Sequence, residues 1–87
     1  MNHRLFNENI YKQVEYWKKN GEYSYVAVLN HLLLEHTRKL CYPNGDQFIY
    51  FPKKKYSEQA ISTVLDSLGI KYSSSTLPGY IAVALLD

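Results

Sequence analysis

Apolar residues recur at a helical period from the start of the chain. Phe6, Ile10, Val14 and Trp17 stand three or four residues apart and form one stripe. The spacing predicts a helix over about Asn7 to Asn20. Asn7 suits its cap, Glu8 its first turn, Lys18 and Lys19 its last turn, and Gly21 its stop. A second helix is expected from Tyr23 or Ser24 to Lys39. Val26, Leu29, Leu33, His36 and Leu40 mark its buried side, and Val28 and Leu32 widen that side enough for a central place in the core. Its β-branched start, Tyr25-Val26-Ala27-Val28, also fits a short strand. A third helix is expected from Ser57 to Leu68. Ile61, Val64, Leu65 and Leu68 form its core face, Ser57 its cap and Gly69 its end.

Turn signals separate the strands. Pro43-Asn44-Gly45-Asp46 reads as a tight hairpin turn, because Asn-Gly tolerates positive φ. Leu40–Tyr42 and Gln47–Phe51 are its expected strands, the second ended by Pro52. A second hairpin pairs Ile70–Ser75 with Tyr80–Leu86 around Leu77-Pro78-Gly79. The last strand is almost wholly apolar and should be the best buried.

The predicted order is helix, helix, short hairpin, helix, hairpin. This is a single α+β domain spanning residues 1–87. A short amphipathic helix, a Leu-Gly-Ile exit and a two-stranded ribbon form the ending of a winged helix-turn-helix. The expected architecture is therefore winged-helix-like: three helices, a C-terminal β-hairpin wing, and an extra short hairpin at about residues 40–51 where a tight turn is usual.

Composition sharpens this picture. With 87 residues there is material for one core. One cysteine, Cys41, excludes an internal disulfide and fits a reducing compartment. No secretory leader follows Met1, and no apolar run could span a bilayer, so the expected location is the cytoplasm, with no membrane partner. The net charge of +2 does not by itself call for nucleic acid. Its distribution is more telling. Arg38, Lys39, Lys53, Lys54 and Lys55 face only Asp46 between residues 38 and 56, a local excess of +4 (five bases less one acid). Nine tyrosines are many for this length, and each ring has an apolar face with a polar tip.

Catalytic patterns are weak. His31, His36 and Cys41 are five residues apart, which turns them to different faces of a helix, so no metal site is expected. The simpler expectation is a solvated His31, a His36 at the core edge and a buried Cys41. Ser73–Ser75 lacks a strand-to-helix elbow and reads as a polar wing. No glycine-rich phosphate loop is present. The expectation is a non-enzyme with no cofactor and no small-molecule substrate.

One segment stands out: Tyr50-Phe51-Pro52-Lys53-Lys54-Lys55-Tyr56. Lysines attract phosphates whatever the base sequence, and flat rings give unpaired bases a stacking surface. Lysines at a helix start also oppose the helix dipole, a conflict that an external polyanion relieves. The competing expectation is a solvated loop with one ring in the core. The exposed face of the third helix offers Gln59, Ser62, Thr63, Asp66 and Ser67, without a base among them. Glu58 and Asp66 repel phosphate, so duplex reading by this helix is not expected. The candidate nucleic-acid-binding residues are Arg38, Lys39, Tyr50, Lys53, Lys54, Lys55, Tyr56, Lys71 and Tyr72.

Lys53–Leu86, with its aromatic-flanked lysines, capped helix and short wing, resembles the small winged-helix single-stranded-DNA-binding proteins of staphylococcal cassette chromosome elements. The resemblance implies a sequence-tolerant, cooperative single-stranded-DNA-binding protein tied to replication or recombination of a mobile genetic element. Replication proteins are then further expected partners. The alternative is a small phage or mobile-element interaction module that adapts or inhibits a host machine, for which many tyrosines also suit. A core this small favours a homodimer too, with Tyr16 or Trp17 at the interface, although ordinary packing is the simpler role for Trp17.

Overall fold

The computed structural model describes residues 8–41 and 47–86. It is an α+β arrangement of three helices and one antiparallel sheet. Helix α1 spans Glu8–Lys19 and buries Ile10 and Trp17, with Val14 partly buried between them. Asn7 and Phe6 lie outside the described residues. The helix ends in a Schellman turn. Gly21, at φ +74°, donates to the Lys18 carbonyl, and Glu22 donates to that of Trp17.

Helix α2 spans Tyr23–Cys41 and resolves the choice at its start in favour of helix. Its buried line is Val28, Leu29 and Leu32, with Val26 and Leu33 at the flanks. Leu40, expected inside, is 41% exposed. The Trp17 ring meets Tyr25 edge-on at 5.6 Å and joins α1 to α2.

The short hairpin at residues 40–51 is corrected. Leu40 and Cys41 continue α2, and the second expected strand finds a distant partner. Strong helix formers and a basic last turn, Arg38 and Lys39, carry the helix past the expected boundary. Strand β1, Ile49–Pro52, pairs with the final strand instead. That partner is nearly all apolar and offers burial that Leu40-Cys41 does not. The turn at residues 43–46 lies outside the described residues. Pro52 does end the strand.

Helix α3, Glu58–Ser67, begins as expected. The Ser57 hydroxyl accepts from the Ala60 amide at 3.1 Å. Ile61, Val64 and Leu65 are buried. Gly69, at φ +68°, donates to Asp66 and Ile70 donates to Leu65, a second Schellman turn. Ile70 is thereby buried at the helix exit rather than starting a strand.

Strands β2, Tyr72–Leu77, and β3, Tyr80–Leu85, form the ribbon. The strand order β1-β3-β2 puts β3 in the centre, and its Ile81–Ala84 are all buried, as its composition predicts. Register assigns the faces. Ile49 opposes Val83 and Phe51 opposes Ile81 on the side that meets α2 and α3. Tyr50 opposes Ala82 and Pro52 opposes Tyr80 on the other side. Ala82 and Ala84 are buried yet stand apart from the main core cluster, which fits their place on that second face.

Candidate nucleic-acid interface

Alternation along β1 separates its aromatic residues. Phe51 is fully buried, whereas Tyr50 is 38% exposed on the opposite side of the sheet. Tyr80, which opens β3, is 48% exposed. The rings of Tyr50 and Tyr80 lie 6.5 Å apart at 84°. Phe48 continues the row, 6.4 Å from Tyr50 and tilted by 44°. Three rings thus line one edge of the outer face.

The lysines stand at the end of this row. Lys55 and Tyr56 both donate to the Pro52 carbonyl at 3.1 Å, which folds Lys53–Lys55 into a single tight turn. Lys53 donates from its backbone to the Gly79 carbonyl at 3.0 Å. That bond pins the lysine turn to the tip of the β2–β3 ribbon, beside Tyr80. All three lysine side chains are exposed, and no ion pair engages them among the described residues. The turn concentrates three positive charges in a small space, screened only by solvent and salt.

His31 holds the segment from beneath. Its Nε2 donates to the Tyr50 carbonyl at 2.8 Å, which assigns the proton to that nitrogen. Its ring lies 4.7 Å from Phe51 and 5.1 Å from Tyr56. Tyr56 also meets Phe51 edge-on at 5.5 Å. The expectation of a solvated His31 is corrected: half-buried, it links α2 to β1 and to the lysine turn. Cys41, expected to be buried, is exposed.

The other candidates do not converge on the turn. Tyr56 is half-buried, with its ring committed to the Phe51 and His31 contacts. Tyr72 lies on the core side of β2, and its hydroxyl donates to the Ser62 hydroxyl of α3 at 3.1 Å. Lys71 precedes β2 and uses its carbonyl to hold Leu86. Six residues of strand separate it from the ribbon tip, about 20 Å. Arg38 and Lys39 lie in the last turn of α2, with Arg38 about 10 Å of helix rise beyond His31. The Arg38 guanidinium is held by Glu35 at 3.2 Å.

Tyr80 and Phe48 belong to the arrangement and were not among the sequence candidates. Tyr80 was legible from parity, since it alternates with the buried Ile81. The contact of His31 with Tyr50 spans 19 residues of sequence and leaves no local signal. Among the described residues no group of acidic, histidine or cysteine side chains could hold a metal ion. No helix of the described residues is long and apolar enough to cross a membrane. Compared with family models, with curated proteins and with solved structures, the chain matches none.

Proposed function

We propose that this chain is a winged-helix-like module that binds single-stranded DNA with little regard to base sequence and performs no catalysis. The observation that carries the proposal is the Tyr50–Tyr80 pair on the outer face of the sheet, with the Lys53–Lys55 turn pinned beside it at Gly79. Lysines draw in the phosphate chain, and exposed rings take unpaired bases. A duplex keeps its bases stacked on one another and cannot use those rings.

The winged-helix reading is supported by the order of elements. A strand between helices joins the central strand of a C-terminal ribbon, which also follows the capped helix α3. In place of a further helix before α3 stands the single lysine turn. Gln59, Asp66 and Ser67 are the exposed residues of α3 beyond Glu58, so its outer face carries no base to seat it in a major groove. This argues for the ribbon side and the turn as the contact surface. The resemblance to cassette-chromosome proteins extends the proposal to a role in replication or recombination of a mobile element, with replication proteins as partners.

A salt titration of binding to a labelled, unstructured oligonucleotide tests the proposal. Each phosphate contact to a single strand adds about 0.7 to the slope of log affinity against log salt. Replacing Lys53, Lys54 and Lys55 together by Gln should make that slope shallower by about 2. An affinity absent at low salt, or a slope unmoved by the triple change, overturns it. A stoichiometric protein partner recovered without any oligonucleotide binding favours an adaptor instead.

A further inference from the structure

Among the described residues, the three tyrosines most open to solvent do not lie on the sheet. Tyr11, Tyr16 and Tyr23 are 70%, 61% and 65% exposed, on α1 and at the first residue of α2. Helix α1 turns Ile10, Val14 and Trp17 inward, so its outer side carries Lys12, Tyr16 and Lys19 at i, i+4 and i+7. Lys18 is exposed on the flank of the helix, next to Glu15. Lys12, Glu15, Tyr16, Lys18 and Lys19 border one shallow, open depression of the α1 surface. Three lysines face one carboxylate there, and none of the three makes an ion pair among the described residues. Lys18 and Lys19 also favour the negative end of the helix dipole, so their placement costs the helix nothing. An exposed surface of three lysines bordered by a ring complements a polyanion that carries flat groups.

We infer that the outer face of α1 is a second contact for the same strand, taking its phosphates on Lys12, Lys18 and Lys19 and one base on Tyr16. The inference rests on the single-strand reading above and extends it to a longer footprint. The sheet site alone serves a short oligonucleotide. A long one engages both sites, and the second contact is intramolecular once the first is made. Glu15 is the one element of the depression that opposes the strand.

The test uses the full chain with oligonucleotides of about 4 and about 16 nucleotides, the range of site sizes found on small single-strand modules. The probe is an unstructured, end-labelled pyrimidine strand. A variant combining Lys12→Gln, Lys18→Gln and Lys19→Gln should bind the short strand as the parent does. On the long strand its salt slope should be shallower by about 2, at about 0.7 per contact. Glu15→Gln should tighten the long strand alone, by about two- to threefold, an effect the size of one exposed charge. All four side chains are exposed, and the loss of Lys18 and Lys19 from the last turn of α1 lowers the unfolding midpoint only slightly, so binding is read well below it. If the long strand keeps its slope in the triple variant, while Lys53–Lys55 substitution still weakens both strands, α1 is not a contact and the sheet reading stands. If the parent binds neither strand at low salt, both readings fall.

Discussion

On one face of the sheet Ile49, Phe51, Ile81 and Val83 are no more than 3% exposed, while on the other Tyr50 and Tyr80 leave 38% and 48% of their surface in water. Both sets come from the same two strands and alternate residue by residue. The buried set is aliphatic or phenyl and packs against α2 and α3. The exposed set is phenolic, and two alanines lie beside it on the central strand. Removing apolar surface from water stabilises the fold by about 25 cal/mol per Å², which explains the first face. It gives no reason for two aromatic rings left half in water next to three lysines. The inner face makes the protein fold, and the outer face, half in water at Tyr50 and Tyr80, is the one on which the proposed strand contact rests.

That division can be broken most severely at Phe51. Its ring is fully buried and touches His31 and Tyr56 as well as the core. Phe51→Ala should cost about 3–5 kcal/mol of stability, the range for a buried phenyl. A domain of this size has on the order of 5–15 kcal/mol in total. Denaturant unfolding followed by circular dichroism reads the loss, and oligonucleotide binding should fall with the fold. A variant that unfolds at the parent's midpoint contradicts the assignment of the inner face.

Tyr50 and Tyr80 supply the opposite case. Tyr50→Ala and Tyr80→Ala should each weaken single-strand binding by about 1–3 kcal/mol, the value of one stacked base. The salt slope should not change, because no phosphate contact is removed. Stability should move by about 1 kcal/mol, since each ring is more than a third exposed and the buried residue opposite Tyr50, Ala82, is small and stands apart from the main core cluster. If either variant unfolds as readily as Phe51→Ala, the outer rings are structural and the comparison fails.

Much of the inner face was legible in the sequence. Helical spacing identified Ile10, Val14 and Trp17, and later Ile61, Val64 and Leu65, because an apolar stripe at 3.6 residues has one stable use. Ser57 and Gly69 were legible as cap and stop, since few residue types satisfy a helix end. The pairing of β1 was not. Asn44-Gly45 is a local signal, whereas the choice of β3 as partner depends on apolar burial about thirty residues away along the chain. The candidate site divides the same way. Tyr50 and the three lysines could be read from one short segment. Their juxtaposition with Tyr80 and Gly79 needed the β1–β3 register. The scatter of Arg38, Lys71 and Tyr72 also follows from tertiary placement, which a count of charges along the sequence does not contain.

The cap of α3 gives a finer cut between the two roles. Ser57 follows the lysine turn and accepts from the Ala60 amide, so it belongs to the fold although it borders the site. Ser57→Ala should cost about 1 kcal/mol of stability. Single-strand affinity, measured well below the unfolding midpoint, should stay within about twofold, an energy smaller than one stacked base. A larger loss of affinity at full folding shows that the helix start sets the geometry of the lysine turn.

Arg38 tests the smallest expected effect and the limits of the basic surface. Its guanidinium reaches both oxygens of Glu35, at 3.3 Å and 3.2 Å, one helical turn earlier. The Arg38 side chain is 67% exposed and that of Glu35 23%. Such a pair contributes at most about 1 kcal/mol, and commonly less, because water and salt already solvate both charges. Pairing with Glu35 also cancels most of the attraction that Arg38 has for a phosphate. Arg38→Gln should therefore change stability by less than about 0.5 kcal/mol. It should leave the salt slope of single-strand binding unchanged within about 0.7, the contribution of one phosphate. The same substitution at Lys54, which has no ion-pair partner among the described residues and stands in the turn, should lower the slope by that amount. Equal effects at the two positions mean that the strand reaches the end of α2, and that the ribbon side alone does not bound the site.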